Sequence, residues 1–269
     1  MANILIPTDF SDNSMHAAEY AVKLFGAKGN SFVLLHTYID VSVADPVMPS
    51  MAREMMVVSE EGLQDFATRL ISRTGVEGVK QEVRYGFLES VVNEIAASAG
   101  CQLVVMGKRG KGGSAFFGSN TTRLINRSHV PVLAVPETAA LKKVERILLA
   151  DDHDDILPSQ LTILKQIALA NNAEILVAHV GIEVAATASH WSDGIYKVAL
   201  EGTKHSFQNV HGEDVINGLD RIARHQKVDM VAVLHRHIGL IGRLFHPSTA
   251  KELSRSIDLP LLVMEYTDK

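Results

Sequence analysis

The chain has 269 residues, 46% of them hydrophobic, which is enough to bury one large core or two ordinary ones. A formal charge of −5 gives no global basic field, which excludes bulk nucleic-acid binding by net charge, and the single cysteine, Cys101, excludes an internal disulfide framework. The opening MANILIPTDF has neither a basic n-region nor a long apolar h-region, and no run approaches the roughly 18 apolar residues of a membrane span, so a cytoplasmic protein is expected.

Residues 3–7 form a short apolar run ending in Thr-Asp-Phe-Ser, the pattern of a buried strand entering a loop. Ser11 or Asp12 can cap a helix in which Ala17, Ala21, Leu24 and Phe25 recur at helical spacing. A second strand covers 32–37. A helix over about 51–73 turns Met55, Leu63, Phe66 and Leu70 inward, and 80–85 alternates as an exposed edge strand. A third helix spans 89–98. Cys101 then reads as a small core residue before a fourth strand at 103–106. A fourth helix at 119–127 and a fifth strand at 131–135 complete the alternation, which argues a parallel sheet with helices on both faces.

The richest chemistry lies between that fourth strand and fourth helix, in MGKRGKGGSAFFGSNTT at 106–122. Gly107, Gly110, Gly112 and Gly113 allow close backbone approach to a ligand, while Lys108, Arg109 and Lys111 add positive charge. Ser119, Asn120 and Thr121 stand where a helix start favours an anion. A strand before the loop and a helix after it make this a phosphate cradle rather than a solvated basic loop. It is not a Walker loop, because Gly112 follows Lys111 where a Ser or Thr is required. Nor is it a dinucleotide fingerprint, which belongs after the first strand of its unit. If the first strand lies beside the fourth, Asp9 faces this loop across the crevice where the winding reverses, placed to accept from a ribose or an adenine-side amine. An Asx turn or helix cap is the bland role for Asp9, and both roles fit one loop.

The pattern then begins again. Residues 146–152 repeat 3–9 with Asp152 at the place of Asp9, 174–179 repeat the second strand, 229–234 the fourth, and 258–264 repeat 129–135. Two copies of one domain are expected, at 1–138 and 144–269.

Each half resembles a universal stress protein domain, and the whole chain resembles the tandem members of that family. The likeness rests on Ile-Pro-Thr-Asp-Phe-Ser at 6–11, on Gly-Lys-Arg-Gly at 107–110 with Gly-Ser at 118–119, and on His-Val-Pro-Val-Leu-Ala-Val at 129–135. It implies two open, parallel, five-stranded α/β sheets of the adenine nucleotide alpha hydrolase-like, Rossmann-like kind, paired through their fifth strands. It also implies a site for ATP or another adenosine nucleotide, with Mg as the accompanying ion. The residues it points to are Pro7, Thr8, Asp9, His36, Thr37, Tyr38, Met106, Gly107, Arg109, Gly110, Gly118, Ser119, Asn120 and Thr121. The family signature has nine residues between its second glycine and the Gly-Ser pair, whereas seven separate Gly110 from Gly118 here.

In the second half, an ungapped alignment from the fourth strand sets Gly107 against His235, Arg109 against His237, Gly110 against Ile238, Gly118 against His246 and Ser119 against Pro247. Losing the glycines closes off backbone approach, so weak or no nucleotide binding is expected there. That half holds nine of the twelve histidines, and His235, His237 and His246, with Asp152 or His153, are candidate zinc ligands, although their spacing matches no closed zinc motif. Trp191, Ile195 and Val198 read as the apolar face of its long helix, and Met48, Met51, Met55 and Met56 as packing or homodimer surface.

The expected function is a stress-response binding or regulatory protein holding its nucleotide in the first domain. A slow ATPase or other adenylate-using enzyme and a non-nucleotide interaction module are the alternatives; the sequence does not name the protein partner, and no membrane is implied.

Overall fold

The computed structural model describes residues 2–39, 49–108, 118–151, 156–181, 188–211, 215–235 and 259–265. The chain divides into two units, Met1–Glu137 and Thr138–Lys269.

The first unit runs β1 (Asn3–Pro7), α1 (Asp12–Phe25), β2 (Ser31–Tyr38), α2 (Pro49–Thr74), β3 (Val79–Tyr85), α3 (Leu88–Ala99), β4 (Leu103–Gly107), α4 (Ser119–Arg127) and β5 (Val132–Val135). Its strands are all parallel, in the order β3-β2-β1-β4-β5. Near-continuous apolar runs make the central strands. Ile4, Leu5, Ile6, Leu34, Leu35, Leu103, Val104 and Val105 are all buried, as a sheet covered on both faces requires. The chain winds one way from β1 to β3 and the other way from β4 to β5. Right-handed crossovers therefore put α1 and α2 on one face and α3 and α4 on the other. In agreement, α1 packs on α2 and α3 packs on α4. The reversal falls between β1 and β4.

Local chemistry starts and stops these elements. Ser11 caps α1 by accepting from the Ser14 N–H, with Asp12 in the first turn, and Gly26 ends the helix at φ 91°. Cys101 is buried before β4. On α2 the inward face is Ser59, Leu63, Phe66, Ala67 and Leu70, and Met55 is half-buried.

The second unit repeats this plan with β6 (Arg146–Asp151), a 3-10 turn (Pro158–Leu161), α5 (Thr162–Asn171), β7 (Glu174–Gly181), α6 (Ala188–Ala199), β8 (Lys204–His211), α7 (Val215–His225), β9 (Met230–His235) and β10 (Leu261–Glu265). Its parallel order is β10-β9-β6-β7-β8. Asp229 pins the entry to β6. Its Oδ2 accepts from the N–H groups of Glu145 (2.8 Å) and Arg146 (3.1 Å), and its other oxygen pairs with Lys142.

Two expectations are corrected. Val198 is 66% exposed, so it does not belong to the apolar face of α6. The buried residues there are Tyr196 and Ala199, one helical turn apart, with Ile195 half-buried at their side, and the side chain of Trp191 lies outside the described set.

The second correction concerns the ungapped alignment, which is one residue out of step. Ile4 pairs with Leu103 where its repeat Ile147 pairs with Met230, and Val135 pairs with Gly107 where its repeat Met264 pairs with Leu234. Both registers set Gly107 against Leu234 and Lys108 against His235. The cause is that β9 has six residues and β4 five.

Candidate functional site

Strand ends at the β1/β4 reversal carry the described first-unit candidates: Pro7, Thr8 and Asp9 at the end of β1, Met106 and Gly107 at the end of β4, and His36, Thr37 and Tyr38 at the end of β2 beside β1. Neighbouring strands lie about 4.8 Å apart, so the loop after β1 and the loop after β4 share one crevice.

The β1 side is a closed hydrogen-bond network. Phe10 N–H donates to Thr8 Oγ1 (3.0 Å), and Ser14 Oγ donates to the Ser11 carbonyl (2.8 Å). The 2.8 Å contact between the Thr8 and Ser14 hydroxyls must then run from Thr8 to Ser14, since the Ser14 proton is already committed. Asp9 is half-buried, and its Oδ1 accepts from both the N–H and the hydroxyl of Ser11, an Asx turn running into the α1 cap. Pro7 and Thr8 are buried at the strand end.

Phe10 is a feature the sequence reading passed over. Its φ is +62°, in the left-handed region that a bulky residue rarely occupies. The ring stacks on His36 at 4.2 Å with a 22° tilt, and its other neighbour is Phe66 at 6.3 Å. Above it passes Gly62 of α2, where an added Cβ would lie 2.9 Å from the ring. The signal for this contact was present as a lone glycine inside a helical pattern, Ser-Glu-Glu-Gly-Leu-Gln, which costs helix stability unless something packs against it.

His36, half-buried at the end of β2, places Nδ1 2.8 Å from the Thr8 carbonyl. A carbonyl only accepts, so Nδ1 carries a proton and donates it there. Thr37 and Tyr38 are half-buried beyond it, with Tyr38 edge-on to Tyr85 at 5.7 Å.

The β4 side is a clasp. Lys108 N–H donates to the Val135 carbonyl (2.7 Å), and the Lys108 carbonyl accepts from Gly118 N–H (2.9 Å). The two ends of the 109–117 segment are thereby tied together. Lys108 is 4% exposed, so it is not part of a solvated loop. Met106 and Gly107 are buried. Thr121, also buried, donates from Oγ1 to the Gly107 carbonyl at 3.0 Å and fixes the first turn of α4 against the end of β4.

Gly118 is the N-cap of α4 and supplies no side-chain hydrogen bond. The first-turn N–H groups are therefore not capped from within, and Ser119 and Asn120 are exposed beside them. Arg109, Gly110, Lys111, Gly112 and Gly113, the remaining sequence candidates of the first unit, lie outside the described residues.

In the second unit His235 ends β9, and His237, His246, Asp152 and His153 lie outside the described residues. Among the described residues no group of three or more His, Cys, Asp or Glu is placed to hold a metal ion. By strand register Asp151 takes the place of Thr8 and His179 that of His36.

The sequence model of the universal stress protein family matches residues 1–136. The chain belongs to the universal stress protein family. A universal stress protein of Methanocaldococcus jannaschii is 33% identical over 139 residues, covering 49% of this chain and 80% of that protein. Universal stress protein G of Escherichia coli O157:H7 is 40% identical over 58 residues, covering 21% of this chain and 41% of its own length. The crystal structure of a universal stress protein from Archaeoglobus fulgidus shares the fold over 99% of this chain and 97% of that one, with a TM-score of 0.74 at 19% identity. The chain thus has the Rossmann-like, adenine nucleotide alpha hydrolase-like architecture of the universal stress proteins, built twice from a doubly wound parallel sheet. No helix among the described residues is long and apolar enough to cross a membrane.

Proposed function

We propose that the first unit binds an adenosine nucleotide, ATP foremost, and that the protein acts as a cytoplasmic stress-response binding protein whose occupancy sets its stability and partner choice. The observation that supports this most directly is the start of α4, which among the described residues has no side-chain cap, is anchored to Gly107 by Thr121 and follows the strand that pairs with the one leading to Asp9. Phosphates would meet the first-turn N–H groups and the Ser119 and Asn120 side chains, with Arg109 and the Gly110 backbone contributing from the loop. Asp9, tethered through one carboxylate oxygen by Ser11, would take the ribose or base side. An Mg ion accompanying ATP would sit among the phosphates.

Binding that favours the folded state stabilises it by mass action, about 2.7 kcal/mol when free ligand is a hundred times its Kd. Calorimetric titration with ATP, and mass spectrometry of an acid extract of the purified protein, test the reading. Wild type is expected to carry or bind an adenosine nucleotide and Asp9→Ala to lose it. No nucleotide in the extract, no heat and no thermal shift would leave an interaction module instead.

A further inference from the structure

We infer that the first turns of α2 form an apolar wall of the base subsite, with Val58 and Met55 packing on the purine. This rests on the nucleotide reading above. At 26 residues α2 is about 39 Å long, whereas the eight residues of β2 span about 26 Å. The helix runs back against the strands and leads into β3, so the surplus projects beyond the carboxyl edge of the sheet, where the crevice lies.

Gly62 fixes the level. It packs on Phe10, which follows the end of β1 by three residues and is next to Asp9. Val58 precedes Gly62 by four positions and so lies on the same face of α2, about 6 Å farther out, over the loop that carries Asp9. Met55 is the next step along that face.

Ser59 is the last buried residue toward the start of α2 among those whose burial is described, and Met55 is half-buried. Ser59 is 6% exposed, whereas Val58 is 66%, Val57 45% and Met56 43% exposed. Single exposed apolar residues need no explanation, but Met55, Met56, Val57 and Val58 are four in succession on a projecting helix. The occupant that fits is the flat apolar face of a purine. The Phe10 ring already fills the space one turn lower, and the anion-binding groups stand at the β4 side, away from α2.

The test uses the full chain with Val58→Asn, and with Val57→Asn as a control; both substitutions are neutral, so neither adds a charge that would repel phosphates. Val57 lies on the flank of α2 that carries exposed Gln64 and Thr68. Val58→Asn is expected to weaken ATP, AMP and adenosine by the same factor, about tenfold, because the lost contact is with the base and not the phosphates. Val57→Asn should bind within about twofold of wild type, and neither variant should change the ligand-free unfolding midpoint. Wild-type affinity in Val58→Asn overturns the inference, as does an equal loss in both variants or a loss that grows with phosphate number. If wild type binds nucleotide and Asp9→Ala does not, such a result condemns the α2 wall alone. If wild type binds none, both readings fall together.

Discussion

Phe10 and Gly62 are each unfavourable alone and are explained only together. A non-glycine residue at positive φ costs on the order of 1–2 kcal/mol, and a glycine inside a helix about 1 kcal/mol relative to alanine. Gly62→Ala would ordinarily strengthen α2, but its Cβ would lie 2.9 Å from a ring wedged between His36 and Phe66. We expect a net loss of about 1 kcal/mol by urea denaturation, reversing to a gain of about 0.5–1 kcal/mol in a Phe10→Ala background. The same sign in both backgrounds would show that the contact is slack. Cys101 makes the second residue-level case. Burial raises its thiol pKa, with Glu82 adding to the effect and Lys80 opposing it. The folded state therefore holds this proton more tightly than the unfolded chain. The contribution to stability is complete below the unfolded thiol's pKa of about 8.5 and declines as pH rises from there through the folded value. Cys101→Ala, whatever its offset, should lack that alkaline slope. At this scale the sequence exposed Asp9, Ser11 and the glycines, because their chemistry is local. It did not expose the Phe10 ring, whose partners His36 and Gly62 come from β2 and α2 and meet it only after folding.

Among elements, the joint between β4 and α4 carries the proposed chemistry. Thr121→Val keeps the shape but removes the donor to the buried Gly107 carbonyl, so a loss of about 1–2 kcal/mol is expected, together with weaker ATP binding as the start of α4 shifts. Unchanged affinity with reduced stability would limit Thr121 to a packing role. The strands and helices of the first unit were legible because their apolar runs are long and their breaks sharp. β8 was not, since Lys204, Ser206 and Gln208 interrupt it and an edge strand needs little burial. The slip in aligning β9 with β4 has a similar origin. Apolar residues continue through Leu234, and only the strand pairings, Ile147 with Met230 and Met264 with Leu234, reveal the register.

For the whole molecule, duplication raises the question of how many ligands one chain holds. The residue in register with Gly107 is Leu234, which adds a side chain where the first unit has none. Calorimetric titration of the full chain should therefore return one adenosine nucleotide per chain. A stoichiometry of two would refute the idea that the second unit has lost this site.

The clasp between Lys108 and Gly118 also bears on how such proteins diversify. One backbone hydrogen bond of 2.9 Å joins Lys108 to Gly118 and Thr121 bonds Gly107, so β4 and α4 are held together by contacts that do not involve the residues between them. We expect the 109–117 segment to be exchangeable on that frame. Losing two residues from it, or grafting in a relative's version, would retune the ligand without a new scaffold, and evolution could revise the one while conserving the other.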